Sequence, residues 1–303
     1  MLLHVLHETS YLYSPEVENA HHIMVLKPAS RNGQTLLRYA LNIDPAPVQL
    51  HESRDSWGNA RAYFSLQAAH QRLTVVSDSV VQTSPRAPVN SAASPLWEAV
   101  REQFRYRAGV AYDSASEFLF ASPYIPRDEA FVAFSRASFL PSRPLVEATR
   151  HLMSHIHNSM TYESESTHVN TPALEALHQG KGVCQDFAHI MVACCRSMGL
   201  PARYVSGYML TNPPLGQARL IGCDASHAWA SVYCPGPLPS QGRWLDFDPT
   251  NNREPGEDYV TLATGRDFLD VSPMRGVIRG GARHVLSVAV TVEPLLPTVA
   301  MAQ

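Results

Sequence analysis

Three of the chain's five cysteines lie close together in residues 180–195, GKGVCQDFAHIMVACC, and their positions predict different roles for their thiols. The apolar residues after the first cysteine recur with helical spacing, which predicts one buried stripe that includes Cys194 and Cys195. Because unpaired buried cysteines usually serve as small apolar residues, we expect these two to fill the core. Cys184 instead lies at the first turn of the predicted helix, where backbone N–H groups lack partners within the helix.

The position of Cys184 favours nucleophilic chemistry. Gly180 and Gly182 precede it and free the backbone to enter the helix sharply. The partial positive charge at a helix N-terminus favours a thiolate, and the unpaired amides there can bind an oxyanion. A reactive thiolate also needs a general base, which must come from another part of the chain.

His227, in the predicted strand SHAWASVY, is the candidate base. A turn-rich loop follows this strand, and RWLDFD returns as its antiparallel partner. We expect Tyr233 to lie opposite Trp244 or Arg243 in this hairpin. From this register we expect His227 to lie opposite Asp248 or Pro249, with the carboxylate of Asp248 beside the His227 ring.

Asp248 is expected to orient the imidazole, as the acid of a nucleophile–base–acid triad does. A carboxylate that accepts from the ring N–H holds the tautomer and stabilises the imidazolium. Asp246 shares the same strand face but lies one pleat further in, roughly 6.6 Å along the strand, so it is the weaker partner. The predicted catalytic residues are therefore Cys184, His227 and Asp248, in that order along the chain.

The whole chain predicts an α+β protein with two domains and a connector. Residues 1–90 alternate apolar and polar positions between turn residues, which is typical of an antiparallel β domain. Residues 91–144 combine a helical segment with irregular, proline-bounded sequence and are interpreted as a connector. In residues 145–303 we expect a core in which the helix beginning at Cys184 packs on an antiparallel sheet that carries His227.

Three motifs resemble the core of the transglutaminase-like superfamily, a papain-like cysteine fold: GVCQDFAHIMVACCRSMGLPARYVSGY, SHAW and DFDPTNN. The N-terminal half, with TSYLYSPEV and DSWGN, is similar to the β region that precedes this core in a bacterial branch. The resemblance implies that Cys184 is the nucleophile, His227 the base and Asp248 the orienting acid. It also implies acyl transfer from an amide of a peptide or protein by hydrolysis, deamidation or transamidation, with no cofactor. Tyr162 is the nearest candidate for the family's second oxyanion donor, although a packed strand aromatic is an equally good interpretation.

Composition argues against several classes of partner. The 303-residue chain has a formal net charge of −3 and so offers no basic surface for nucleic acid. No apolar stretch approaches the roughly 20 residues that span a bilayer, and the start of the chain lacks the pattern of an export signal. Five cysteines without regular spacing fit a reducing compartment. We therefore expect a cytoplasmic protein that binds neither nucleic acid nor membrane, while its oligomeric state stays open.

Two metal-site interpretations compete with the triad and are weaker. DFDPTNNREPGE resembles an EF-hand loop in its acidic positions, but Asn251 stands where glycine is required and the flanks are predicted strands. His151 and His155 lie one helical turn apart, yet the glutamate of a metalloprotease motif and a third ligand are missing. Two functional alternatives remain: a scaffold of the same fold that binds a protein partner without catalysis, and a metal-dependent hydrolase.

Overall fold

The computed structural model describes residues 1–31, 33–109, 112–164, 166–211, 226–236 and 242–295. Its strands are β1 Leu2–Met24, β2 Gln34–Asp44, β3 Gln49–Arg54, β4 Ala60–Leu66, β5 His70–Thr83, β6 Thr161–Tyr162, β7 Lys181–Gly182, β8 Ala202–Met209, β9 Ser226–Cys234, β10 Arg243–Phe247, β11 Tyr259–Gly265, β12 Met274–Gly280 and β13 Arg283–Pro294. Its α-helices are α1 Trp97–Gln103, α2 Glu129–Ser135, α3 Leu145–Ser159, α4 Ala173–Gln179, α5 Cys184–Ser197 and α6 Phe268–Val271. None of these helices is both long and apolar enough to cross a membrane.

The N-terminal sheet is built around the long strand β1. The first half of β1 pairs with β5 and β13, and its second half pairs with β4 and β12, always antiparallel. β2 and β3 extend the sheet beyond β5 and β4. Alternate side chains of β1, such as Leu3 and Val5, are buried, which is the pattern of a strand with one face on a core. The prediction of antiparallel β structure in this region is confirmed.

The last two strands belong to the N-terminal sheet rather than to the core sheet. The sequence places them in the core that begins at residue 145, but β12 and β13 both pair with β1. β5 and β4 cover only one edge of the 23-residue strand β1, so the backbone groups on its other edge need partners. The end of the chain supplies them, and no local pattern indicates this pairing.

The core sheet has the strand order β10-β9-β8-β11 and is antiparallel throughout. Helix α5 packs against β8 and β9 and is surrounded by α2, α3 and α4. Twelve of its fourteen residues are buried, so the expected single buried stripe is too narrow a description. The helix that begins at Cys184 is thus the centre of the largest hydrophobic core.

Two side-chain amides attach the N-terminal sheet to the edge strand β11. Gln34 accepts the N–H of Thr261 at 2.7 Å and donates to the carbonyl oxygen of the same residue at 2.8 Å. Likewise, Asn59 accepts the N–H of Thr264 at 2.9 Å and donates to the carbonyl oxygen of Thr264 at 2.7 Å. Each amide therefore takes the place of a neighbouring strand and satisfies buried backbone groups.

The DSWGN segment forms the structural turn that the sequence predicts. The Asp55 carboxylate accepts the backbone N–H groups of Trp57 and Asn59, each at 2.9 Å. Gly58 adopts a φ of 80°, a conformation that glycine reaches without a steric penalty. The turn also aims the side chain of Asn59 at β11, a role that its sequence pattern does not indicate.

We expect Asn59→Ala to lower the free energy of unfolding by about 2 kcal/mol or more, because a buried backbone group left without its partner costs about 1–3 kcal/mol. Urea unfolding followed by circular dichroism measures the change. Asn42→Ala, at an exposed position on β2, is the matched control and should leave the midpoint nearly unchanged. Equal midpoints for the two variants would contradict this role of Asn59.

Candidate active site

Cys184 is the first residue of α5, and the local sequence explains why the helix begins there. Gly180 ends α4 in the left-handed conformation, with a φ of 66°. Gly182 is required because a Cβ atom at this position would lie 2.6 Å from a carboxylate oxygen of Asp186. That oxygen accepts the Val183 N–H at 2.8 Å and so closes the first turn.

The His227 imidazole binds a fully buried carboxylate. Its Nε2 lies 2.7 Å from Oδ2 of Asp248, whose side chain has no exposed surface. Cys184 is close enough to this ring for its thiol to raise the pKa of the imidazole. Of the three side chains singled out from the sequence, His227 and Asp248 are therefore in direct contact, and Cys184 interacts with the same ring.

The contacts of the His227 ring favour an imidazolium beside the carboxylate of Asp248. Burial by itself would lower the pKa of His227, but the hydrogen bonds with Asp248 and Cys184 outweigh it and raise the pKa from 6.5 to about 10. Burial would raise the pKa of Asp248, yet its hydrogen bonds, with His227 first among them, hold that pKa below its usual value of 3.8. At neutral pH the ring is therefore protonated and the carboxyl group ionised.

Further donors complete the hydrogen bonding of Asp248, and sequence reasoning missed them as functional residues. The backbone N–H groups of Thr250 and Asn251 donate to Oδ1 at 2.9 and 3.3 Å. The side-chain amide of Asn251 and the hydroxyl of Tyr259 each donate to Oδ2 at 2.7 Å. Arg253 in turn donates to the Tyr259 hydroxyl at 3.0 Å. The DPTNN motif signals the turn donors, whereas Tyr259 comes from β11 and has no signal in that motif.

Asp248 reaches His227 by a route that differs from the predicted register. Tyr233 does lie opposite Trp244, as expected. Continued without interruption, however, that ladder would place Thr250 opposite His227, so the register argument misplaces the carboxylate. Strand β10 ends one residue before Asp248, which bridges to the chain beyond it in a tight turn and so brings its carboxylate to the ring.

Asp246 is held by arginines rather than by His227. Its Oδ2 lies 2.5 Å from Nη1 of Arg86, and Arg203 adds a second positive charge nearby. Burial alone would raise the pKa of Asp246, but the positive charge of Arg86 outweighs it and lowers that pKa. This carboxylate therefore ties β10 to the segment that follows β5.

Three other cysteines of the described residues are packed in the interior. Cys194 and Cys195 have no exposed surface, as predicted, and burial raises the pKa of both thiols, that of Cys194 to about 12. Cys234 is also buried, and burial raises its pKa. Cys184 differs because its side chain is only partly buried. Cys223, the fifth cysteine, lies outside the described residues.

Tyr162 lies close to the start of α5. The short strand β6, which contains it, pairs with Lys181–Gly182, just before Cys184. The ring centroid of Tyr162 is 6.4 Å from that of Phe187, and the residue is 55% exposed. This exposure argues against a purely packed aromatic and keeps Tyr162 as a candidate oxyanion donor.

The residues considered for calcium and zinc have other partners. Asp246 pairs with an arginine, Asp248 accepts hydrogen bonds from its surroundings, and Glu257 lies 2.7 Å from the N-terminal ammonium group. His151 contacts a serine hydroxyl at 3.0 Å, and His155 stacks on a phenylalanine. Within the described part of the chain, no three His, Cys, Asp or Glu side chains are grouped so that they could hold a metal ion.

Comparison with known families finds two matches along the chain. Residues 3–82 match the bacterial transglutaminase-like N-terminal region, and residues 132–249 match the transglutaminase-like superfamily. The second match contains Cys184, His227 and Asp248. Both matches agree with the family resemblance that the sequence motifs indicate.

Two mycobacterial proteins and one solved structure are similar over nearly the full length. An uncharacterized protein of Mycobacterium tuberculosis is 41% identical over 96% of this chain and 92% of its own. An uncharacterized protein of Mycobacterium leprae is 31% identical over 97% of this chain and 99% of its own. The crystal structure of a putative cysteine protease from Cytophaga hutchinsonii has a TM-score of 0.73 at 22% identity, covering 98% of this chain and 91% of that one.

The structural likeness confirms the predicted fold class, an antiparallel N-terminal sheet followed by a papain-like α+β core. The two family matches agree with it. The chain therefore belongs to the transglutaminase-like superfamily.

Proposed function

We propose that the chain is an enzyme that cleaves or exchanges an amide of a peptide or protein substrate through a thioester on Cys184. The observation that carries the proposal is the 2.7 Å contact of His227 with the buried carboxylate of Asp248, on a ring that also interacts with the partly buried Cys184 at the first turn of a helix. In the proposed roles, Cys184 is the nucleophile, His227 the general base and acid, and Asp248 the residue that orients the ring.

In the proposed mechanism, the Cys184 thiolate attacks the carbonyl carbon of the amide and forms a C–S bond. The carbonyl oxygen becomes an oxyanion, which the backbone N–H of Cys184 stabilises. The His227 imidazolium then gives its proton to the amide nitrogen, the C–N bond breaks, and the amine leaves a thioester behind. Water or a second amine attacks the carbonyl carbon of the thioester and loses a proton to the neutral imidazole. The C–S bond then breaks and releases the acid or the new amide, which restores the thiolate and the imidazolium.

Asp248 stays ionised throughout this cycle and acts on the ring. Its bond to Nε2 directs Nδ1 toward the thiol and stabilises the imidazolium. Asn251 and Tyr259 are positioning residues, because each donates a hydrogen bond to the carboxylate that His227 contacts. These hydrogen bonds hold the reacting groups in place before substrate binds.

We place this activity in the cytoplasm. All four cysteines in the described part of the chain are free thiols, which suits a reducing compartment. A thiolate nucleophile also depends on such conditions, since oxidation to a disulfide or sulfenic acid would remove it.

Labelling with a library of electrophilic peptides, followed by peptide mapping, tests the proposed activity, because it reports both the reactive residue and the preferred acyl group.

Iodoacetamide should alkylate Cys184 in the native protein about tenfold or more faster than Cys194, Cys195 or Cys234, because only the Cys184 thiol is accessible and beside an imidazolium. Time-resolved peptide mapping by mass spectrometry measures the rates. The urea-unfolded protein, in which these thiols should react alike, is the control. Equal rates in the native state would remove Cys184 as the nucleophile.

Asp248→Asn should lower kcat for a peptide amide by about 10³ to 10⁴-fold, because a neutral amide no longer holds the imidazolium. Asp246→Asn is the matched control on the same strand. It loses the ion pair with Arg86, so it should lower the melting temperature while kcat of the folded enzyme stays within about threefold. A larger loss of kcat in Asp246→Asn would reassign the orienting acid.

The alkaline limb of kcat should lie near pH 10 rather than near 6.5. The imidazolium that protonates the leaving amine is present below its raised pKa and is lost as the pH rises through about 10. The limb should move to lower pH in Asp248→Asn, which removes the main contact that raises this pKa. Tyr259→Phe keeps that contact and should move the limb less. An unchanged limb in Asp248→Asn contradicts the assigned pKa.

A further inference from the structure

The outer edge of β13 has no strand partner. The inner edge of β13 pairs with β1 from Arg283 to Pro294, and no other strand in the described part of the chain pairs with it. Natural proteins usually blunt an open strand edge with charges, prolines or bulges, because its unpaired N–H and C=O groups recruit another strand. The segment HVLSVAVTV within β13 contains no proline, lysine, arginine or acidic residue.

Exposed apolar side chains flank this open edge on both faces. Val285 is 67% exposed, Leu286 50% and Val288 46%. Because side chains alternate along a strand, Val285 lies on one face and the other two on the opposite face. Leu12, which pairs with Val285 from the neighbouring strand, is 53% exposed and widens the apolar surface. Hydrogen-bonding groups and apolar surface are thus available together.

Charges of opposite sign stand at the two ends of β13. Arg283 lies at its start and Glu293 near its end, and both are exposed. Neither forms an ion pair with another residue of the described part of the chain. At roughly 3.4 Å per residue, the strand holds them about 34 Å apart, too far to pair with each other. Antiparallel pairing of two such strands brings opposite charges together twice, whereas parallel pairing would bring like charges together.

We propose that two copies of this chain associate by antiparallel pairing of their β13 strands about a two-fold axis at Val288. In this register Arg283 of each copy lies opposite Glu293 of the other, and the exposed Val288 of each copy lies opposite Val288 of the other. Directly opposed side chains of this kind stabilise paired strands. The interface is isologous, so it closes on two copies and ends the exposure of both edges.

This association is independent of the proposed catalytic function. None of the β13 residues that would pair belongs to the proposed catalytic site of Cys184, His227 and Asp248. The occupant of the edge is identified as a second copy because the order of charges along β13 is complementary to itself. An unrelated strand would need its own charges at matching positions.

Sedimentation velocity on the full chain at increasing concentration tests the proposal, with a monomer–dimer equilibrium as the expected result. Arg283→Glu and Glu293→Arg should each raise the dimer dissociation constant by about tenfold, and the double variant should restore it, because the pairs are re-formed with reversed sign. Arg72→Glu, the same charge change at an exposed position of β5, is the matched control and should leave the equilibrium unchanged.

A crosslinking experiment keeps the test decisive where a charge variant fails to fold. Val288→Cys should form a disulfide-linked dimer under mild oxidation, because residues on the two-fold axis lie directly opposite each other. Arg72→Cys, away from the edge, should not. A chain that stays monomeric at all concentrations, or a dimer that neither charge variant weakens and Val288→Cys does not crosslink, would overturn the proposal.

Discussion

An ionised carboxylate without exposed surface must be surrounded by hydrogen-bond donors, and the site around Asp248 is organised by that requirement. Its donors come from three places: His227 on β9, Tyr259 on β11, and the turn that contains Thr250 and Asn251. A shift of any one of them would leave a buried charge short of a partner. The position of the imidazole is therefore a consequence of satisfying the carboxylate.

Different elements position Cys184 at one end of the site and the hydrogen-bond donors of Asp248 at the other. At one end, the buried carboxylate of Asp186 accepts the Val183 N–H and the Thr167 hydroxyl, which fixes where α5 begins and where Cys184 lies. At the other end, the amides attached to β11 hold the strand that carries Tyr259. The N-terminal sheet thus reaches the site through one strand of the core sheet, and it supports the geometry without contributing a reacting group.

Local patterns in the sequence determined the chemistry that is available. A cysteine after two glycines at the start of an apolar helical run, and a histidine at the start of an alternating strand, are readable because helix and strand periods relate neighbouring residues. The burial of Cys194 and Cys195 and the pairing of Tyr233 with Trp244 follow from the same periods. The sequence motifs also identify the family, because they occur together and in the family's order along the chain.

Only the tertiary structure decided the relations between segments that are distant along the chain. The enclosure of α5 depends on three other helices, and the pairing of the second edge of β1 depends on β12 and β13, which are distant from it along the chain. The meeting of Asp248 with Tyr259 depends on a turn that leaves the strand register and on an edge strand beyond β8. The periodicity of a sequence predicts which face of a helix or strand a residue lies on, but it does not predict which element packs against that face. That partner is decided by the packing of the whole chain, which must bury apolar side chains and satisfy buried polar groups at the same time.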